Sequence, residues 1–184
     1  GESFQNKGCG ATAYADAITV LLTLSLGKLT DLSNAFCPWR ADVQCPSNLF
    51  GRQAISMGWT FAEGNIFSSS SGGYLPMIST VKKGILANSY SHKKGNVEIV
   101  NDDASNIKDL GKNFVVCTDP PYYDAVPYAD LSDFFFPWMK FALKDIFPGI
   151  FDTLASPKAD ELVADRMRHG SAQLADSFFK VGMT

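Results

Sequence analysis

The residues of this 184-residue chain best suited to chemistry are Asp119-Pro120-Pro121-Tyr122, directly behind the short apolar run Asn113–Cys117. Two consecutive prolines fix φ and remove two backbone donors, so this backbone is stiff and its carbonyls face outward. A carboxylate beside an outward carbonyl offers two neighbouring acceptors. Such a pair suits the two coplanar donors of an exocyclic –NH2 group. The following tyrosine supplies a flat face on which a ring can stack. These groups would orient an amine so that its lone pair meets an electrophile, which is catalysis by positioning and electrostatics.

A second acidic group stands in a matching place. The run Asn96–Val100 ends at Asn101-Asp102-Asp103-Ala104, much as Asn113–Cys117 ends at Thr118-Asp119. Short, continuously apolar runs predict strands of a parallel sheet buried on both faces, and ligands bind such sheets at the strands' carboxyl ends. Both acidic clusters fall at those ends. Asp102 and Asp103 are equally suited to solvating a turn or capping a helix.

Around these groups the pattern is mainly helical. Ala11–Leu32 reads as a long, largely buried helix, and Cys37–Asn48 as a loop broken by Pro38 and Pro46. Asn48–Phe67 reads as helical or part-helical, Ser68–Gly73 as a linker or loop, and Tyr74–Leu86 as a helix followed by a polar turn at Ser91–Asn96. Asp130–Phe147 reads as an aromatic-rich helix, with Pro137 near its start or kinking it. Lys158–Arg168 and Ser171–Phe179 read as two more helices. Phe134, Phe135 and Phe136 are expected to pack on the sheet, and Trp39, Trp59 and Trp138 to lie in helix packing or core. The chain thus divides into a mainly helical segment, 1–95, and an α/β segment, 96–184, forming one compact unit.

Composition narrows the partners. The chain is 46% hydrophobic with net charge −3, enough apolar content for one core but too little positive charge to grip a phosphate backbone alone. Asn113–Met139 holds Asp119, Asp124, Asp130 and Asp133 and no Lys or Arg, so this surface would repel a phosphate backbone. Ala17–Leu26 is short and interrupted by Thr19, Thr23 and Ser25, so no membrane span is expected. Cys9, Cys37, Cys45 and Cys117 have no metal-site spacing with His92 or His169, which predicts free thiols, no metal and a cytoplasmic location. No signal peptide is apparent, and the start Gly1-Glu2 is read as that of an excised or processed chain.

Asp119-Pro120-Pro121-Tyr122 resembles the D-P-P-Y motif of DNA amino-methyltransferases. The wider blocks "ATAYADAITVLL", "FGRQAISMGWTFAEGNIFSSSSGG", "TDPPYYDAVPYADLSDFF" and "PKADELVAD" resemble large prokaryotic adenine-specific DNA methylases. The resemblance implies a partial Rossmann-like class I methyltransferase sheet and methyl transfer from S-adenosylmethionine to adenine N6 in DNA. Asp119 and the Pro120 carbonyl, held by Pro121, would bind the amine, and Tyr122 would stack on a flipped base. Thr118 would shape the loop, Asp103 or Asp102 would approach the cofactor, and Tyr123, Asp124 and Tyr128 would line the pocket. Cytosine N4, RNA or a protein amide are alternative substrates; a non-catalytic module of a defence or modification complex is an alternative role. The chain departs from the family in lacking a D-P-F-x-G-x-G loop: "NKGCGAT" has no apolar strand before it and reads as a helix entrance. It therefore resembles an internal or later section of such an enzyme.

Overall fold

The computed structural model describes residues 1–52, 54, 55, 58, 59, 61–70, 72–89, 99–106 and 114–184. The first element, α1 (Ala11–Thr30), covers most of the predicted N-terminal helix. Its interior hydroxyls are satisfied within the helix. Thr23 Oγ1 donates to the Thr19 carbonyl at 2.8 Å, and Ser25 Oγ to Leu21 at 2.9 Å, so both residues can be buried. Burial is partial, contrary to expectation: Ala13 and Leu29 are inside, whereas Tyr14 and Leu24 are exposed. After the helix, the Asp31 carboxylate accepts from Asn48 Nδ2 at 2.8 Å and ties down the next loop.

That loop contains a small antiparallel hairpin, β1 (Trp39–Arg40) with β2 (Cys45–Pro46), pairing Trp39 with Pro46 and Arg40 with Cys45. Cys37 is buried beside it, and burial pushes its thiol pKa up. None of the four cysteines forms a disulfide. The predicted helix over Asn48–Phe67 does not form among the described residues. Three glycines, at 51, 58 and 64, spread their helix penalty across the stretch. Ser68 and Gly73 lie close together: a Cβ on Gly73 would meet the Ser68 carbonyl oxygen, so the close approach requires glycine. Gly73 leads into α2 (Tyr74–Ser89), whose Tyr74 hydroxyl donates to the Leu22 carbonyl at 3.1 Å and fastens α2 to α1. The polar turn expected at Ser91–Asn96 lies outside the described residues.

The predicted Rossmann-like sheet is contradicted. The sheet among the described residues is the two-stranded antiparallel hairpin, and the chain is mostly helical. Ile99 and Val100 are in no strand and exposed, as are Phe114, Val115 and Val116; Val115 is 94% exposed. β-Branched apolar runs have the composition of buried strands, but a strand exists only where a second backbone pairs with it. The rest of both runs, Asn96–Glu98 and Asn113, is not described.

The second half is a chain of short helices: α3 (Tyr128–Ser132), α4 (Phe136–Leu143), α5 (Pro148–Phe151), α6 (Arg166–His169) and α7 (Ala172–Gly182). The predicted Asp130–Phe147 helix is thus divided, and Pro137 sits in the first turn of α4, where a missing N–H costs nothing. Of the predicted Lys158–Arg168 helix only its end forms, because Asp165 caps α6 by accepting from Met167 N at 2.7 Å. Gly170 closes α6 in the left-handed region at φ 80°, and Ser171 caps α7. The core gathers Phe136, Leu143, Ile146 and Phe151, with Val20 of α1 packed against them. Phe134 and Phe135 pack on the Phe50 ring rather than on a sheet. Trp39, Trp59 and Trp138 are exposed, against expectation. The whole chain exposes 14318 Å². A compact monomer of 20.0 kDa would expose about 8,700 Å². No helix among the described residues is long and apolar enough to cross a membrane.

Candidate functional site

Asp119-Pro120-Pro121-Tyr122 lies in an irregular stretch that runs from residue 114 to the start of α3. The Tyr122 hydroxyl donates to Asp119 Oδ1 at 3.0 Å and closes the motif across its two prolines. This hydrogen bond, and then the charge of the same carboxylate, holds the Tyr122 phenol pKa above its ordinary value. Among the described residues Asp119 Oδ2 and the Pro120 carbonyl accept no hydrogen bond. The Tyr122 ring is 52% exposed. Two unengaged acceptors and an accessible aromatic ring therefore share one short loop, with the tyrosine tethered to the acid.

Beyond Tyr122 the loop is anchored. Ala125 N donates to the Tyr122 carbonyl at 3.0 Å, forming a tight turn. Inside it Tyr123 takes φ 58°, a left-handed conformation that costs a bulky residue about 1–3 kcal/mol. Three contacts hold it there. Its carbonyl accepts from Ala164 N at 3.0 Å, its ring packs edge-on against Phe179 at 5.1 Å, and its hydroxyl donates to Asp176 Oδ1 at 3.4 Å. Tyr123, expected to line a pocket, thus binds the loop to α7 and to the segment before α6. Asp124 is exposed within the turn, and Tyr128 opens α3 with its ring half exposed.

Asp102 and Asp103 have a different setting. Asp102 Oδ1 accepts from Asp103 N at 2.8 Å and from Asn106 Nδ2 at 3.0 Å, organising the single 3₁₀ turn Ala104–Asn106. The Asn106 hydrogen bond, then that from Asp103 N, depresses the Asp102 carboxyl pKa. Of the two uses open to Asp102, its hydrogen bonds show a local cap. Thr118 is exposed in the same irregular segment. Cavities open elsewhere, among them an apolar groove of about 200 Å³ between α1 and α2, a larger one beside the hairpin, and one at Phe50–Arg52 and Leu131. None of these is lined by Asp102, Asp103 or Thr118. No cluster of metal-ligating side chains occurs among the described residues.

The sequence reading missed the charges behind the loop. Arg168 is the hub, with NH1 on Glu161 Oε2 at 2.7 Å, NH2 on Asp130 Oδ2 at 2.5 Å and Nε 3.6 Å from Asp165 Oδ2. Burial opposes its charge, but hydrogen bonds to Glu161 and Asp130 outweigh that and leave its pKa raised. Lys158 Nζ lies 2.5 Å from Asp133 Oδ2, and this hydrogen bond depresses the Asp133 carboxyl pKa. The available signal was complementary charge: Asp130 and Asp133 lie on an otherwise anion-only stretch, facing "PKADELVADRMR", which supplies Lys158 and Arg168.

No family model, curated protein or solved structure matched the chain.

Proposed function

We propose that this chain carries the amine-binding loop of a DNA adenine-N6 methyltransferase of the S-adenosylmethionine-dependent class. The observation that carries the reading is the Asp119–Tyr122 tether, beside an exposed ring, with Asp119 Oδ2 and the Pro120 carbonyl taking no partner among the described residues. Each acceptor takes one N–H of the amine. Holding both hydrogens in place turns the nitrogen lone pair away from the ring of the base and toward an incoming electrophile. The Tyr122 face stacks on the base, while its hydroxyl keeps the carboxylate oriented.

The extended resemblance around the motif supports the DNA-adenine substrate and a place in a restriction–modification or defence system in the cytoplasm. The anionic character of the loop supports a DNA grip made outside this stretch. Cytosine N4, an RNA base or a protein amide present the same pair of donors and remain the nearest substrates. The test is methylation by the complete gene product containing this chain, read by mass spectrometry of DNA, RNA and protein acceptors. Asp119→Ala is expected to abolish adenine methylation; wild-type levels in that variant would end the reading.

One observation favours a second reading. The sequence carries no D-P-F-x-G-x-G cofactor loop, which suits a non-catalytic nucleic-acid-binding or assembly module. Stoichiometric binding of S-adenosylmethionine to the chain by calorimetry would rule that module out; its absence supports it.

A further inference from the structure

The D-P-P-Y loop is fixed almost wholly from its downstream side. Upstream, residues 114–118 are exposed, and among the described residues no backbone hydrogen bond holds them. Downstream, residues 156–168 cross behind the loop and α3 and bond to them at three backbone points. Ala164 N donates to the Tyr123 carbonyl, Ser156 N donates to Asp133 Oδ1 at 2.8 Å, and Glu161 Oε1 accepts from Ala129 N at 2.8 Å. Within the irregular chain over 158–165, Ala164 N is given to the Tyr123 carbonyl instead of to the helix that the sequence favours.

We propose that residues 156–168 are a positioning strap for the amine-binding loop, with Arg168 as its fastening. One guanidinium reaches Glu161 on the strap through NH1 and Asp130 on α3 through NH2, in a fixed planar geometry that the single nitrogen of a lysine does not reproduce. Glu161 in turn holds the first turn of α3 through Ala129 N. Arg168 therefore fixes α3 and the strap as one body. The strap's Ala164 then holds Tyr123, in its left-handed conformation, one residue after the motif. Arg168 and Glu161 are positioning residues that act through Tyr123 and α3. The proposal rests on reading the loop as the amine-binding element, but its structural half can be tested separately.

Hydrogen exchange followed by mass spectrometry on the full chain gives that test. Arg168→Gln is expected to speed exchange of amides in Tyr122–Leu131 by roughly tenfold or more, with α1 and α2 unchanged. Arg168→Lys keeps charge but loses the fork, so it should give an intermediate increase and also serves if the glutamine variant unfolds. Unchanged exchange in the loop, or equal acceleration in α1 and α2, would overturn the strap. The complete gene product adds a second readout: Arg168→Lys should raise KM for DNA more than it lowers kcat, because the loop is displaced and not chemically altered. The two failures are distinguishable. Quiet loop exchange ends the strap whatever the methylation result, and wild-type methylation by Asp119→Ala ends the amine-binding reading while leaving the strap standing.

Discussion

The two flanks of the D-P-P-Y loop are built on different principles. The upstream flank, Phe114–Cys117, is apolar and β-branched, yet it is exposed and unpaired. The downstream flank is rich in charge and proline, yet it is closely tied through Tyr123, Ala129, Asp130 and Asp133 to residues about 25 to 53 positions away. Apolar character is non-directional and stabilises only where something covers it. Hydrogen bonds and ion pairs are directional, so a few of them can fix a loop that has no sheet beneath it.

The contrast can be broken at Arg168. Arg168→Ala leaves Glu161 and Asp165 without their cation and Asp130 with Lys158 Nζ at 4.0 Å, and Glu161 is largely shielded from solvent. The expected loss is about 2 kcal/mol in urea unfolding, between the values for exposed and fully buried pairs. A loss near zero would put the downstream flank on the same footing as the upstream one. Asp133→Asn should cost less, about 0.5–1 kcal/mol near neutral pH, because its pair with Lys158 is partly exposed.

That second effect carries a pH signature. The folded Asp133 carboxyl pKa is depressed, so its contribution is complete above the unfolded-state value of about 3.9 and disappears as pH falls through the folded value. The wild-type advantage over Asp133→Asn should therefore vanish on acidification below about pH 4, as followed by circular dichroism. Tyr123→Phe removes only the long bond to Asp176 and keeps the ring on Phe179, so about 0.5 kcal/mol is expected. Val115→Lys sharpens the comparison from the other flank: stability should stay within about 0.5 kcal/mol, and a large loss would reveal a partner for that run.

Three helices were legible because their determinants are local. The apolar spacing of α1 and α2, and the Ser171 cap of α7, lie within the segments that they specify. The strands were not legible in the same way: Ile99–Val100 and Phe114–Cys117 have strand composition, but pairing belongs to two segments at once. The Lys158–Arg168 helix failed for a related reason, since Ala164 N donates to the distant Tyr123 carbonyl in place of a helical one. At the site, the sequence singled out Asp119 and Tyr122 and gave them separate tasks; the bond between them appears only in three dimensions. The anchoring of Tyr123 could not be read from its type, because a left-handed tyrosine is set by what surrounds it.

The large exposed surface has a calorimetric consequence. An unfolded chain of 20.0 kDa exposes about 29,000 Å², so unfolding from 14318 Å² uncovers about seven-tenths of the area that a compact protein of this length would. Both the denaturant slope and the heat-capacity increment scale with that area. The chain should therefore unfold over a broad range of urea, with a flattened stability curve, in the manner of a protein about 130 residues long.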